Sequence, residues 1–266
     1  MISGNQLCYD LEDFYQEYVE KANKRRYLYQ YTNFDSFLHI AMEHTLLFNR
    51  IDKMNDRQEA ELFKNEEVAR LVFISCFSTQ QEESIPMWNT YTQKNEGIRL
   101  KIEITKEKVF DSIFDDSKNI VDLSGKTIGQ IGRANGSYDI NDWLADISQS
   151  DIWYKDSKEI DEFSIKEGNV YCLNRMAVVK DKAWNYERES RFILKLRTVR
   201  DNVEIPNITG FLVPINFENI KTLEITFGPW MDDCKKNCIK DVVEKYLPRI
   251  NVKFKDSKFI KKIARK

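Results

Sequence analysis

The chain has 266 residues, 42% of them hydrophobic, which is enough for a sizeable core at the upper end of single-domain size, and its 9 Gly and 5 Pro leave little material for a flexible linker. The 41 basic and 43 acidic residues nearly cancel. Net charge therefore does not indicate nucleic acid as a partner, although a local basic face is left open. No apolar run approaches a membrane span, and Met1-Ile-Ser-Gly-Asn5 lacks the basic-then-apolar pattern of a signal peptide, so a cytoplasmic protein is expected.

The elements follow in order. Leu11 to Lys24 has the spacing of an amphipathic helix, and Tyr27 to Thr32 is a strand rich in β-formers. Asn33 or Asp35 can cap a helix with Phe37, Leu38, Ile40 and Ala41 as its apolar positions. A short strand at Thr45–Asn49, a polar loop from Lys53 to Glu59 and a charged helix come next. Leu71 to Ser78 is almost continuously apolar and should be a central strand. Ile85 to Thr92 is a short helix with Pro86 in its first turn, and Gly97 to Ile104 alternates apolar and charged residues as a half-exposed strand does. Residues 110 to 165 are expected to be an insertion with short elements of its own. Strands follow at Val170–Lys180, Glu187–Leu196, Phe211–Ile215 and Leu223–Phe227, then a helix at Asp232–Tyr246 and a last strand at Asn251–Lys255. The mixture lacks a βαβ rhythm. The expected fold is α+β: a single domain over 1–266 with a central twisted, mixed or antiparallel sheet flanked by helices.

Metal-binding patterns are weak. The five cysteines are scattered; Cys8, Cys76 and Cys172 lie in apolar stretches and read as buried hydrophobes. Cys234 and Cys238 share a helix face without further partners, and His39 and His44 complete neither a triad nor a metal set. No structural metal is expected.

Chemistry is concentrated in four polar-aromatic clusters: Tyr29-Gln-Tyr-Thr32; Asn55-Asp-Arg-Gln-Glu59; Ser75-Cys-Phe-Ser78 followed by Met87-Trp-Asn-Thr-Tyr91 and Gly97; and Lys182-Ala-Trp-Asn-Tyr-Glu-Arg-Glu-Ser-Arg191. In this order, and with Gly228-Pro229 after them, they resemble the bacterial family catalogued as domain of unknown function 2971, from about Tyr27 to Phe254 outside the insertion. One departure is Arg57 after Asp56, where the family often has Pro.

A second, looser similarity is to the ADP-ribosyltransferase superfamily. It rests on an early Tyr-Thr strand, a strand ending in Ser, and a late strand with Glu-x-Glu. That resemblance implies NAD as cofactor, Glu189 as the catalytic carboxylate and Glu187 as its neighbour. It implies a first-strand role for Tyr31 or Thr32, with Ser78, Trp88 and Tyr91 flanking the nicotinamide; Trp184 could stack on a ring of the cofactor, and Asn55, Asp56 and Arg191 are further candidate contacts. The leading expectation is an enzyme of this type in bacterial defence or toxicity, with an unknown macromolecular acceptor or partner protein. On a strand, residues 187, 189 and 191 would share a face, and two carboxylates with a guanidinium there are costly to bury unless paired or used. A carboxylate could stabilise the oxocarbenium-like state of N-glycosidic cleavage. Two other readings stay open: a non-catalytic ligand-sensing or protein-interaction module, and a metal-dependent nuclease using Asp56, Glu59, Glu187 and Glu189. The plainer reading of Glu187, Glu189 and Arg191 is a solvated strand face with cross-strand ion pairs, and of Trp88 and Tyr91, a helix's core side.

Overall fold

The computed structural model describes residues 7–8, 13–54, 66–104, 113–115, 117–125, 127–130, 137–140, 143–156, 158–159, 166–167, 170–173, 177–197, 204–205 and 207–260. Its strands are β1 (Leu7–Cys8), β2 (Tyr27–Thr32), β3 (Thr45–Arg50), β4 (Val72–Ser78), β5 (Ile98–Ile104), β6 (Asn119–Asp122), β7 (Thr127–Gln130), β8 (Ser137–Ile140) and β9 (Trp143–Asp151). Beyond them come β10 (Trp153–Lys155), β11 (Lys166–Glu167), β12 (Val170–Cys172), β13 (Val179–Asp181), β14 (Glu189–Arg197), β15 (Gly210–Pro214), β16 (Ile220–Phe227) and β17 (Val252–Asp256). The helices are α1 (Asp13–Asn23), α2 (Phe34–Glu43), α3 (Glu66–Ala69), α4 (Ile85–Tyr91) and α5 (Asp233–Tyr246).

Among the described residues, twelve strands form one mixed sheet in which β16–β17 is a parallel pair. The apolar strand β4 is its branch point. One edge of β4 pairs with β14 along its length; the other pairs with β2 at Ser78 and with β3 at Phe73 and Ile74. From β2 the sheet continues to β5, β16 and β17, from β3 to β15, β6 and β7, and from β14 to β9 and β8. Two expectations change here. Residues 110–165 contribute β6 and the nine-residue β9 to the main sheet, β9 pairing with β14 from Ser190 to Arg197. The expected strand over Val170–Lys180 is two short strands in separate small sheets.

Side chains on a strand alternate between faces, so register fixes what each face of the sheet carries. Leu28, Phe73, Phe77, Leu100, Phe192, Leu194 and Ile225 lie in one continuous apolar core. Helix α2 adds Phe37 and Ala41 to it, and α5 adds Ile239 and Val243. Phe77 meets Phe192 edge-on at 5.3 Å, and Phe73 meets Phe211 at 4.6 Å. Asn33 caps α2, its side chain accepting from the Ser36 N–H.

The opposite face around β2, β4 and β14 carries Tyr29, Tyr31, Cys76, Ser78, Glu189 and Arg191. Here the layer above the sheet is α4. Tyr31 packs edge-on against Trp88 at 4.9 Å, and its hydroxyl accepts from the Ser84 N–H that precedes α4. After α4 the chain makes an unusual left-handed turn, with positive φ at Gln93, Lys94 and Asn95. It then enters β5 through Gly97, where a Cβ would stand 2.3 Å from the Thr32 carbonyl oxygen. Only glycine admits that approach.

Candidate functional site

The cleft is built from cross-strand neighbours. Tyr29 of β2 stands opposite Ser78 of β4, which stands opposite Glu189 of β14; one row further along β4, Cys76 faces Arg191. Tyr29, Tyr31, Cys76, Ser78, Met87, Tyr91, Glu187 and Glu189 line one concavity between sheet and α4.

Glu187 reaches the cleft by another route than expected. It is the last residue of a 3₁₀ turn, Lys182–Glu187, and the strand starts only at Glu189. Arg188 between them takes the left-handed conformation, φ 46°. This corner is tied to the end of β4: the Ser78 hydroxyl donates to the Glu187 carbonyl at 2.7 Å, and the Thr79 N–H donates to the Arg188 carbonyl at 2.7 Å. The turn thus returns Glu187 to the side of the sheet that carries Glu189.

The charged groups form a buried chain. Arg191 donates through Nε to Glu189 Oε1 at 2.7 Å and through Nη2 to Oε2 at 3.0 Å, a two-pronged pair on one strand face. Lys180 Nζ bridges the carboxylates, 2.6 Å from Glu187 Oε2 and 3.3 Å from Glu189 Oε2. The Tyr91 hydroxyl donates to Glu187 Oε1. The Glu189 N–H donates to the Tyr154 hydroxyl oxygen at 2.9 Å. Glu187 and Glu189 are 2% and 5% exposed, Lys180 6% and Arg191 1%, so this is no solvated strand face. Burying these charges singly would be prohibitive; as two acids and two bases in contact they compensate one another.

The carboxyls differ in character. Burial and the Glu189 charge push Glu187 up, against the opposing pull of Lys180. Burial also pushes Glu189 up, but Arg191 and Lys180 outweigh it and hold it at about 2. Burial and the nearby carboxylates push the Tyr91 and Tyr154 phenols and the Cys76 thiol up, so all three stay protonated.

The structure sorts the sequence-derived candidates. Tyr31, Ser78, Tyr91, Glu187 and Glu189 meet in the cleft. Thr32 does not line it, because it alternates with Tyr31 on β2 and shares the other face with Leu28. Trp88 is fully buried behind the wall, its indole N–H donating to Glu83 at 3.0 Å. Trp184 lies outside the lining, its ring 4.7 Å from Lys180 Nζ. Arg191 sits beneath Glu189, donating also to the Ala177 carbonyl. Asn55, Asp56 and Glu59 lie outside the described residues. Cys76 packs against the core as a half-buried thiol and also forms part of the cleft wall. Lys180 and Tyr154 were missed by sequence reasoning. A lysine ending the apolar run Ala177-Val-Val179 was a usable signal, since a charge adjoining core residues needs a partner; Tyr154 offered none.

Residues 87–192 match the family model described as "Protein of unknown function (DUF2971)". The matched stretch holds α4 from Met87 onward, with Lys180, Glu187, Glu189 and Arg191, so it contributes most of the charged site. It also includes residues 110–165, which the sequence reading had set apart as an insertion. Neither a curated protein nor a solved structure matches the chain. Among the described residues, no helix is long and apolar enough to cross a membrane, and no group of His, Cys, Asp and Glu has metal-binding geometry.

Proposed function

We propose that the cleft binds a nucleotide and acts on NAD in the manner of an ADP-ribosyltransferase. One observation carries the reading: the Tyr31 strand, the strand ending in Ser78 and the strand opening with Glu189 are neighbours in the sheet, in that order. Their aromatic, hydroxyl and carboxylate groups therefore share one cleft, as the superfamily resemblance requires. In the reaction the bond from the ribose anomeric carbon to the nicotinamide nitrogen breaks, its electron pair neutralising the pyridinium. The acceptor's oxygen or nitrogen bonds to that carbon and loses a proton. A buried carboxylate beside the anomeric carbon stabilises the positive charge that develops in between.

The nuclease reading is less well supported. Both Glu187 and Glu189 direct oxygens to Lys180 and Arg191, the positions a divalent ion would need. The sensor reading draws on the same fact, because a fully compensated charge set also suits a binding site.

The deciding experiment measures nicotinamide release from NAD by the full chain, with cell lysate supplying acceptors, alongside calorimetry with NAD. Release is expected, falling about a hundredfold or more when the reacting carboxylate becomes an amide. Absence of both release and binding would overturn the proposal.

A further inference from the structure

We propose that the two carboxylates divide the work: Glu187 is the one that meets the ligand, while Glu189 is a fixed counter-ion that positions it through Lys180. The inference rests on the cleft being a ligand site, as proposed above, and reverses the roles that the Glu-x-Glu resemblance implies.

The two carboxylates differ in how many of their acceptor positions the protein occupies. A carboxylate offers about four lone-pair directions. Glu189 accepts two bonds from Arg191 and one from Lys180. Three of its roughly four directions, on both oxygens, are thus taken from within the protein by two cations. Glu187 accepts one bond on each oxygen, from Tyr91 and from Lys180, and retains about two directions on a group that lines the cleft. Those directions suit a ligand presenting hydrogen-bond donors or positive charge, such as a sugar ring with adjacent hydroxyls. The chain also explains how Glu187 keeps its place at a corner between two elements. Arg191 lies across from Cys76 in the middle of the sheet and fixes Glu189; Glu189 fixes the Lys180 ammonium; and Lys180 with Tyr91 holds Glu187 from two sides. Lys180 is thus a positioning residue.

The roles predict opposite responses to neutralisation. Glu187→Gln leaves Lys180 paired with Glu189 and gives Tyr91 an amide oxygen to donate to. Its melting temperature is expected within a few degrees of wild type, by the usual scale for a chain of this size. Its thermal shift with ADP-ribose and its nicotinamide release should be lost. Glu189→Gln strands the buried Arg191 and is expected to lower the melting temperature by roughly 10 °C. If Glu189→Gln does not fold, Glu189→Gln with Arg191→Met, which leaves no stranded charge, should recover the fold. Lys180→Met should move the midpoint of the pH profile of release upward, since Glu187 loses the cation that favours its ionised form. If the wild type neither releases nicotinamide nor binds ADP-ribose, the NAD reading fails, and the melting temperatures still decide this one. A loss of melting temperature that is equal in the two Gln variants or confined to Glu187→Gln would overturn it, as would release and ADP-ribose binding that survive in Glu187→Gln; a melting-temperature loss confined to Glu189→Gln, with release lost in Glu187→Gln, upholds it.

Discussion

At the scale of single residues, the consequence of this site is a pH dependence with two signs. Glu187 has a raised folded value, so the folded chain holds its proton more readily than the unfolded one. Its contribution to stability is complete below its ordinary value of 4.5 and is lost as pH rises through the folded value. Glu189 acts oppositely: its contribution is present above 4.5 and is lost as pH falls toward about 2. The other groups facing the pair are the cations Lys180 and Arg191 and the protonated Tyr91, Tyr154 and Cys76. Urea unfolding should therefore show wild-type stability declining below about pH 4.5 through Glu189. It should also show Glu187→Gln gaining on wild type at about pH 7 and not at about pH 4. A gain of equal size at both pH values would mean that the amide acts by packing and not by removing a destabilised charge.

At the scale of elements, the site depends on how closely β2, β5 and the turn after α4 approach. At Gly97 a Cβ would meet the Thr32 carbonyl oxygen at 2.3 Å and Thr92 Cβ at 2.6 Å; at Gly228 it would meet the Asn95 oxygen at 2.4 Å. These are largely backbone obstacles with no rotamer to turn aside. Gly97→Ala should cost about 3 kcal/mol in urea unfolding, an overpacking loss at the upper end of its range. A loss below about 0.5 kcal/mol would show that β2 can slide away from β5 at little cost. The elements themselves were mostly legible. The continuous apolar run of β4 placed it centrally, the alternation in β5 separated its core side from its charged side, of which Arg99 is nonetheless buried over Tyr29, and of the two cap candidates Asn33 is the one that caps α2. The start of β14 was not legible. Glu187 reads as strand by alternation, but Arg188 in the left-handed region breaks the strand there, and the tie to Ser78 and Thr79 that holds this corner spans 109 residues of sequence.

At the scale of the whole molecule, the cleft wall is fastened to the end of the chain. Glu83, just before α4, accepts from the Trp88 indole at 3.0 Å, the Ser257 hydroxyl at 2.5 Å and the Lys258 N–H at 3.0 Å. Phe259 packs against the Tyr31–Met87–Trp88 cluster. Removing the shared acceptor should loosen helix and tail together. Glu83→Ala is expected to cost about 2 kcal/mol, since hydrogen bonds to a charged group are lost and Trp88 is left with a buried donor. Hydrogen exchange should quicken at the amides of α4 and of Ser257–Ile260 alike. Faster exchange in the tail alone would mean that α4 is held by its apolar contacts without Glu83.

The sequence by itself determined the secondary elements with strong periodicity, the mixed α+β character, and the neighbourhood of the site, because alternation, caps and apolar runs are local properties of the chain. It also marked Tyr31, Ser78, Tyr91, Glu187 and Glu189 as chemistry-bearing, by residue type and clustering. Only the tertiary structure decided which face each of them occupies. Register put Tyr29, Ser78 and Glu189 in one row and sent Thr32 to the other side of the sheet. Tertiary structure also brought Lys180 from β13 between the two carboxylates and set Arg191 against one of them, leaving more acceptor positions open on the other. Pairing between distant strands sets those distances, and no local pattern records which lone pairs will be filled.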